Sequence, residues 1–311
     1  YVGLVKAIAQ AATPVILCQD ETHRDHIIDL LGSIAGRTPV MIVGPYNDTW
    51  CRDYGPLTIG KIENGRCLPT HMLDFQFSGW GDKYEAGDDN AVNQRLNEAH
   101  RWKLSLETID LELEGGSVES DGEGTLMTTE TCLLGGNRNE TVSRDALEAL
   151  LKEKFGVSRI FWIKEGYLCG DDTDSHVDNL VRFASADTLV YAACDRSDDE
   201  HFPPLEAMRE EISKFRTQAG KPYQLLPLFI PEQQFDENGK RLPASYVNFL
   251  IVNQHVIVPQ FNSPYDAQAL AQLEKAFPGY TLLPIPGKAL IKQYGGPHCA
   301  TMQLPVGTVN L

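Results

Sequence analysis

The sequence has no apolar run long enough to span a bilayer and no secretory signal pattern. It has no Cys-x-x-Cys pair. Its seven cysteines (Cys18, Cys51, Cys67, Cys132, Cys169, Cys194 and Cys299) are odd in number and irregular in spacing, which argues against a disulfide scaffold and a zinc ribbon. A reducing, cytoplasmic setting is the expectation. No Gly-rich dinucleotide turn follows an early strand, which counts against an open nucleotide-binding sheet, the runner-up architecture. Positive charge is scarce. The chain has 27 Lys and Arg against 43 Asp and Glu, a net charge of −16. That argues against nucleic-acid and anionic-membrane partners and fits a small cationic one. What remains is a globular composition, 42% hydrophobic and 23% charged over 311 residues, enough for one large domain or two ordinary ones.

The elements recur in one order: polar motif, strand hairpin, amphipathic helix, strand, next motif. Val5, Ile8 and Ala12 stand at helical spacing at the start, so the chain opens inside a helix and an upstream segment is expected. Helices are predicted over about Thr22–Ala35, Asn90–His100, Ser143–Phe155, after Pro203-Pro204, and Asp266–Phe277. Ser143 reads as an N-cap and Gly156 as the residue past the C-terminus. Strands are predicted at Pro39–Val43, Leu57–Ile59, Met72–Phe77, Trp102–Ile109, Arg159–Ile163, Leu180–Phe183, Thr188–Ala193, Tyr223–Phe229, Val247–Val252, Val256–Gln260 and Tyr280–Ile285. Hairpin turns fall at Glu63-Asn64-Gly65 and Asp121-Gly122-Glu123-Gly124. A last strand, Ala300–Leu304, has no helix after it.

The motifs centre on Asp53, Glu114, His176, Ser245 and Cys299, at intervals of about sixty residues. A structural repeat of that length suggests α/β units arranged around an axis, within a single catalytic domain over 1–311.

The richest motif is Asp171-Asp-Thr-Asp-Ser-His-Val-Asp-Asn179. β-Branched Thr173 and Val177 and the lack of strong helix formers suggest an extended path. Alternation would then put Asp172, Asp174, His176 and Asp178 on one face. Carboxylates beside a His favour its charged form and suit acid–base work, a cationic substrate or a metal. The metal reading is the weaker, because the run lacks the Gly and terminal Glu of an EF-hand loop. No metal and no cofactor is expected.

Cys299 follows Gly295-Gly296, a small-residue approach open to a substrate. Free cysteines are most often small buried hydrophobes, and a thiol of pKa near 8.5 needs help to become a nucleophile. His298 is a poor helper, because neighbours on an extended segment face opposite ways; His176 is the better base. Cys51 and Cys169, beside polar motifs, are the rival nucleophiles. Asp53 could form a structural ion pair with Arg52, and Glu112 and Glu114 alternate onto one side.

Two carboxylates, a His and a Cys suit attack on a guanidinium carbon. Paired carboxylates satisfy the planar, forked cation bidentately. A thiolate adds to the central carbon, and the His protonates the departing amine and then activates water.

The motifs Trp50…Arg52-Asp53…Gly55-Pro56, Glu114-Gly-Gly116 with Asp121-Gly-Glu-Gly-Thr125, Asp171–Asn179, Pro243-Ala-Ser-Tyr-Val-Asn248 and Gly295-Gly…His298-Cys299 resemble the agmatine deiminase and bacterial peptidylarginine deiminase family. The resemblance runs in order from about Asn47 to the C-terminus. It implies a five-bladed pseudosymmetric α/β propeller of ββαβ units, the pentein fold. It also implies hydrolysis of agmatine to N-carbamoylputrescine and ammonia, with peptidylarginine or free arginine as the alternative. By motif, Cys299 resembles the family's nucleophile, His176 its general acid/base and Glu114 the carboxylate that orients the His. Asp53 and Asp178 match the guanidinium-binding pair, and Trp50 and Asn248 match residues lining the substrate site. The implied partner is a small cationic guanidine; a homo-oligomer is allowed. Two departures concern the substrate tail. Val118-Glu119 stands where agmatine deiminases often carry a His, and Gly-Gly-Pro-His-Cys stands for their Gly-Gly-Asn-Ile-His-Cys. The Ser78–Tyr84 loop looks closer to the peptidylarginine branch. An amidinotransferase, with the same thiol chemistry, is a further reading.

Overall fold

The structure is a computed structural model and describes residues 1–63, 66–135 and 137–310. The chain divides into two compact units, Tyr1–Gly115 with Cys299–Leu311, and Gly116–His298.

The first unit holds two sheets. Strands β1 (Val15–Cys18) and β2 (Val40–Val43) pair in parallel, with Val15 opposite Val40. The helix Glu21–Leu31 joins them, capped by Asp20, whose side chain accepts the His23 N–H. Strands β3 (Leu57–Glu63), β4 (Arg66–Gln76) and β5 (Ser105–Glu112) form the second sheet. β3 and β4 are antiparallel, with Glu63 opposite Arg66; the expected turn residues 64–65 lie outside the described residues. β4 and β5 are parallel. The helix expected over Asn90–His100 is a short turn, Gly87–Asn90, followed by Val92–Glu98.

The second unit repeats this pattern three times. The strands are β6 (Val118–Ser120), β7 (Thr125–Thr129) and β8 (Arg159–Ile163); β9 (Val181–Ser185), β10 (Thr188–Ala193) and β11 (Gln224–Phe229); and β12 (Leu250–Val252), β13 (His255–Gln260) and β14 (Thr281–Pro286). In each sheet an antiparallel hairpin is followed by a parallel third strand. A parallel partner needs a crossover, and helices Arg144–Phe155, Phe202–Ile212 and Tyr265–Ala276 supply it.

The helix Arg144–Phe155 shows how local chemistry sets these elements. The Ser143 hydroxyl accepts the Ala146 N–H, Gly156 ends the helix at φ 65°, and Leu147 and Leu151, one turn apart, are its buried positions. The 121–124 turn forms as the motif suggests. The Asp121 carboxylate accepts the N–H groups of Glu123 (2.8 Å) and Thr125 (2.9 Å). The core of this unit gathers Met208 and Ile212, Ala269 and Leu273, and the apolar runs of β9, β10 and β13. Among the described residues no helix is long and apolar enough to cross a membrane.

Two expectations fail. Residues 301–305 form no strand. The segment is committed to a turn instead. The Cys299 carbonyl accepts the Arg52 N–H at 3.1 Å, the Ala300 carbonyl lies 3.4 Å from Cys51 Sγ, and the Arg52 guanidinium takes the side chains of Met302 and Gln303. Asp171–Asn179 is not extended either. Asp174 and Ser175 are left-handed (φ 63° and 67°), and Val177–Asn179 is a single 3-10 turn. The Asp171 carboxylate bends the chain by accepting Thr173 Oγ1 at 2.7 Å and the Ser175 N–H at 2.8 Å. The fully buried Arg138 guanidinium holds Asp174 at 2.7 Å. The alternation of Asp172, Asp174, His176 and Asp178 on one face therefore does not exist.

Candidate active site

In the first unit the residues Trp50–Tyr54 make a helical turn, Cys51–Tyr54, whose backbone is approached closely on two sides. A Cβ on Gly55 would lie 2.5 Å from the Cys51 carbonyl, and one on Gly115 would lie 2.2 Å from the Arg52 carbonyl. The second glycine brings Glu114, which is fully buried, up to the turn. Asp53 is buried, and its Oδ2 accepts the indole N–H of Trp80 at 2.9 Å. Trp80 reaches it from a loop of four consecutive positive φ angles, Gly79 to Asp82. The Ser78 hydroxyl braces that loop by accepting the Gly81 N–H and also donates to Glu112. Gly79 and Gly81 adopt these angles without penalty; Trp80 is held there by packing edge-on against Phe77 at 5.1 Å and by its bond to Asp53. Cys299 is buried in the cluster that contains Trp50, Tyr54, Phe77 and Trp80. The first unit thus brings Trp50, Asp53 and Cys299 together. Arg52 reaches Met302 and Gln303, and Asp53 reaches Trp80.

In the second unit His176 and Asp178 are both fully buried. The His176 N–H donates to Thr173 Oγ1 at 3.2 Å, so the same threonine that is tied to Asp171 sets the backbone of the His. Asp178 accepts from Asn179 Nδ2 at 3.1 Å through Oδ1, and its Oδ2 lies 2.7 Å from His298 Nδ1. Ser245 joins the fourth motif to this one. Its hydroxyl donates to the Asn179 carbonyl at 2.8 Å and accepts the Val247 N–H at 3.1 Å. Asn248 follows, and its Oδ1 accepts the His298 N–H at 3.0 Å. Asp178, Asn179, Asn248 and His298 form one connected group. Among the carboxylates of this run, Asp171 accepts from Thr173 and Ser175, Asp174 pairs with Arg138, and Asp178 meets Asn179 and His298.

The rival thiols are poor nucleophiles. Burial pushes Cys51 up to about 11. Burial, together with the carboxylate of Glu200, pushes Cys169 to about 11 as well. Both stay protonated at neutral pH, where the attacking species must be a thiolate. A group of Cys169, Glu200 and His201 has ligand atoms within 4.8 Å of one another. It makes a poor metal site, because the His201 Nε2 lone pair already accepts the Cys169 N–H at 2.7 Å and Glu200 is paired with Arg241 at 2.9 Å.

Trp80 and His298 were missed as partners of the two aspartates. The Gly-Trp-Gly spacing is a signal for the unusual Trp80 backbone; nothing local marks the pairing of His298 with a residue 120 positions away.

The chain belongs to the Porphyromonas-type peptidyl-arginine deiminase family, whose model matches residues 1–305. That makes it a guanidine-group hydrolase with an α/β fold, five small sheets among the described residues. It is 35% identical over 282 residues to the agmatine deiminase of Pseudomonas fluorescens, covering 83% of this chain and 75% of that one. Among solved structures it is similar to a provisionally named arginine deiminase of Porphyromonas gingivalis, at 39% identity and TM-score 0.91 over 99% of this chain and 89% of that one. It is also similar to a cysteine-to-serine variant of C. jejuni agmatine deiminase with substrate bound, at 34% identity and TM-score 0.85 over 96% and 84% of the two chains.

Proposed function

We propose that this chain is a cysteine-dependent deiminase that hydrolyses the guanidinium of agmatine to N-carbamoylputrescine and ammonia. The observation that carries the reading is likeness to agmatine deiminases along nearly the whole chain, one of them holding substrate as a cysteine-to-serine variant. The residues follow by motif. Cys299 is the nucleophile, His176 the proton carrier, and Glu114 the carboxylate that orients it. Asp53 and Asp178 bind the guanidinium N–H groups, and Trp50 and Asn248 line the substrate site.

In this reaction the Cys299 thiolate forms an S–C bond to the central carbon. His176 gives a proton to a terminal nitrogen, the C–N bond breaks and ammonia leaves. The covalent thiouronium then takes a water, whose proton passes to His176. The C–S bond breaks, the thiolate returns and a carbamoyl product departs. Two moderate barriers replace one high one, and each positioned proton transfer is worth roughly a hundred- to ten-thousand-fold. A net charge of −16 favours the approach of a cation, and a reducing compartment suits a working thiol. The recurrence of one strand–helix–strand unit in the sequence supports reading the sheets as the blades of a five-bladed propeller.

A second reading has its own support. The matched family carries the peptidyl-arginine name, and the P. gingivalis relative is more similar in sequence than the P. fluorescens enzyme. On this reading a peptidyl or free arginine gives citrulline and ammonia through the same residues. Ammonia release from agmatine, arginine and a peptide ending in Arg, offered side by side, separates the two. Agmatine preference that disappears in Cys299→Ala supports the first. Peptide or arginine preference moves the chain to the second, and normal turnover by Cys299→Ala refutes both.

A further inference from the structure

His298 precedes the proposed nucleophile in sequence, yet its ring is turned to an aspartate. His298 is 3% exposed and Asp178 is fully buried. His298 Nδ1 and Asp178 Oδ2 are 2.7 Å apart. An ionised carboxylate only accepts, so Nδ1 carries the hydrogen and donates. The other oxygen of Asp178 takes the Asn179 amide at 3.1 Å. The carboxylate is thereby gripped at both ends.

The ring is fixed in turn by its backbone. The His298 N–H donates to Asn248 Oδ1 at 3.0 Å and lies 3.3 Å from the Asn248 carbonyl. That approach needs a glycine at 296, where a Cβ would stand 2.4 Å from Asn248 Oδ1. Gly296, Asn248 and His298 thus form a connected series that ends on one carboxylate oxygen.

We propose that His298 is a positioning residue for guanidinium recognition, setting the plane of the Asp178 carboxylate through its Nδ1–H. The proposal rests on the reading of Asp178 as a guanidinium-binding residue. A carboxylate oxygen can accept two hydrogen bonds, and forked recognition of a planar cation depends on the orientation of the carboxylate plane. Held at one oxygen by Asn179 and at the other by His298, the carboxylate presents its remaining acceptor directions in one orientation; removing the His298 donor takes away one of these holds on the plane, and the substrate must do more of the orienting. The loss therefore falls on binding. For one hydrogen bond to a charged group it amounts to roughly ten- to a hundredfold in KM.

The test uses His298→Asn, His298→Gln and His298→Leu in the full chain, with Asp178→Asn as reference and melting curves as the folding control. An Asn amide reaches about where Nδ1 sits, and a Gln amide about where Nε2 sits. The expected result is a KM within about threefold of the parent for Asn and a roughly ten- to hundredfold rise for Gln and Leu, with kcat changed less. Adding His298→Gln to Asp178→Asn should then raise KM no further. The proposal is overturned if Asn and Gln behave alike, if kcat falls more than KM rises, or if the effects of His298→Gln and Asp178→Asn multiply. Asp178→Asn with unchanged KM would instead remove the guanidinium-binding reading itself. If the Leu variant does not fold, the Asn and Gln pair still decides.

Discussion

Glu119 on β6 and Arg182 on β9 form an ion pair, Oε2 to Nε 2.9 Å, with side chains 11% and 3% exposed. It is a close ion contact rather than an aligned hydrogen bond. The same guanidinium donates to the carbonyl of Phe249, the residue before β12, at 2.7 Å and lies 4.8 Å over the Phe249 ring. One side chain therefore fastens three sheets of the second unit. At this separation and an effective dielectric of about 20, the attraction is about 6 kcal/mol before desolvation is subtracted. Removing one partner strands the other charge, which in buried pairs costs about 3–5 kcal/mol. Glu119→Leu should thus destabilise the protein by about 3 kcal/mol, and Arg182→Met by at least as much, because the Phe249 carbonyl also loses its donor. Removing both charges together, as Glu119→Leu with Arg182→Met, should cost only about 1–2 kcal/mol, the unmet carbonyl being the main remaining loss. Urea unfolding followed by tryptophan fluorescence gives the four corners of the cycle, with unchanged m-values as the sign that one transition is being compared. Single variants that each cost under about 1 kcal/mol, with losses that simply add, would refute the reasoning.

Three further outcomes are expected. Gly296→Ala places a methyl 2.4 Å from Asn248 Oδ1 and 2.9 Å from its Cγ, so the side chain must move away from the His298 N–H, and kcat/KM should fall about tenfold as that buried hydrogen bond breaks; an unchanged value would show that the bond between Asn248 and His298 is dispensable. Burial, and then the charge of Arg241, hold the His201 imidazole below its usual value, while its unfolded value is about 6.5. The unfolded chain then binds more protons just below that pH, so stability should fall on acidification through pH 6.5 by up to about 1.4 kcal/mol per unit. His201→Gln should flatten that part of the profile, and a parent protein equally stable at pH 7 and 5.5 would contradict it. Because Cys51 and Cys169 titrate near 11, Cys51→Ala and Cys169→Ala should each keep turnover within about threefold, since neither thiol is a thiolate at neutral pH; abolished turnover in a folded variant of either would reopen the choice of nucleophile.

Much of the fold was legible because it is set by neighbours in sequence. Ser143, Leu147, Leu151 and Gly156 define their helix by cap, spacing and stop. The strands Arg159–Ile163 and Thr188–Ala193 carry the apolar runs Ile160–Ile163 and Leu189–Ala193 from their second residue on. The misreading at Asp171–Asn179 has an equally local origin in part. β-Branched residues argued for an extended chain, but the Asp171 carboxylate competes for the backbone and wins, with the distant Arg138 guanidinium holding the bend. The Ala300–Leu304 strand failed for a longer-range reason: the carbonyls at its start and the side chains that follow go to the turn around Arg52.

By itself, then, the sequence determined which chemistry is present and at what intervals: a thiol after two glycines, a His among aspartates, a Glu before two glycines, and one strand–helix–strand order around them. Those are matters of residue type, backbone preference and spacing, and they act over a few residues. Only the tertiary structure decided which donor each carboxylate holds. Asp53 took the indole of Trp80, 27 residues away, and Asp178 took the imidazole of His298, 120 residues away. A buried carboxylate must be satisfied by whatever donor the packed chain brings within about 3 Å, and that choice is made by packing, which no local pattern encodes.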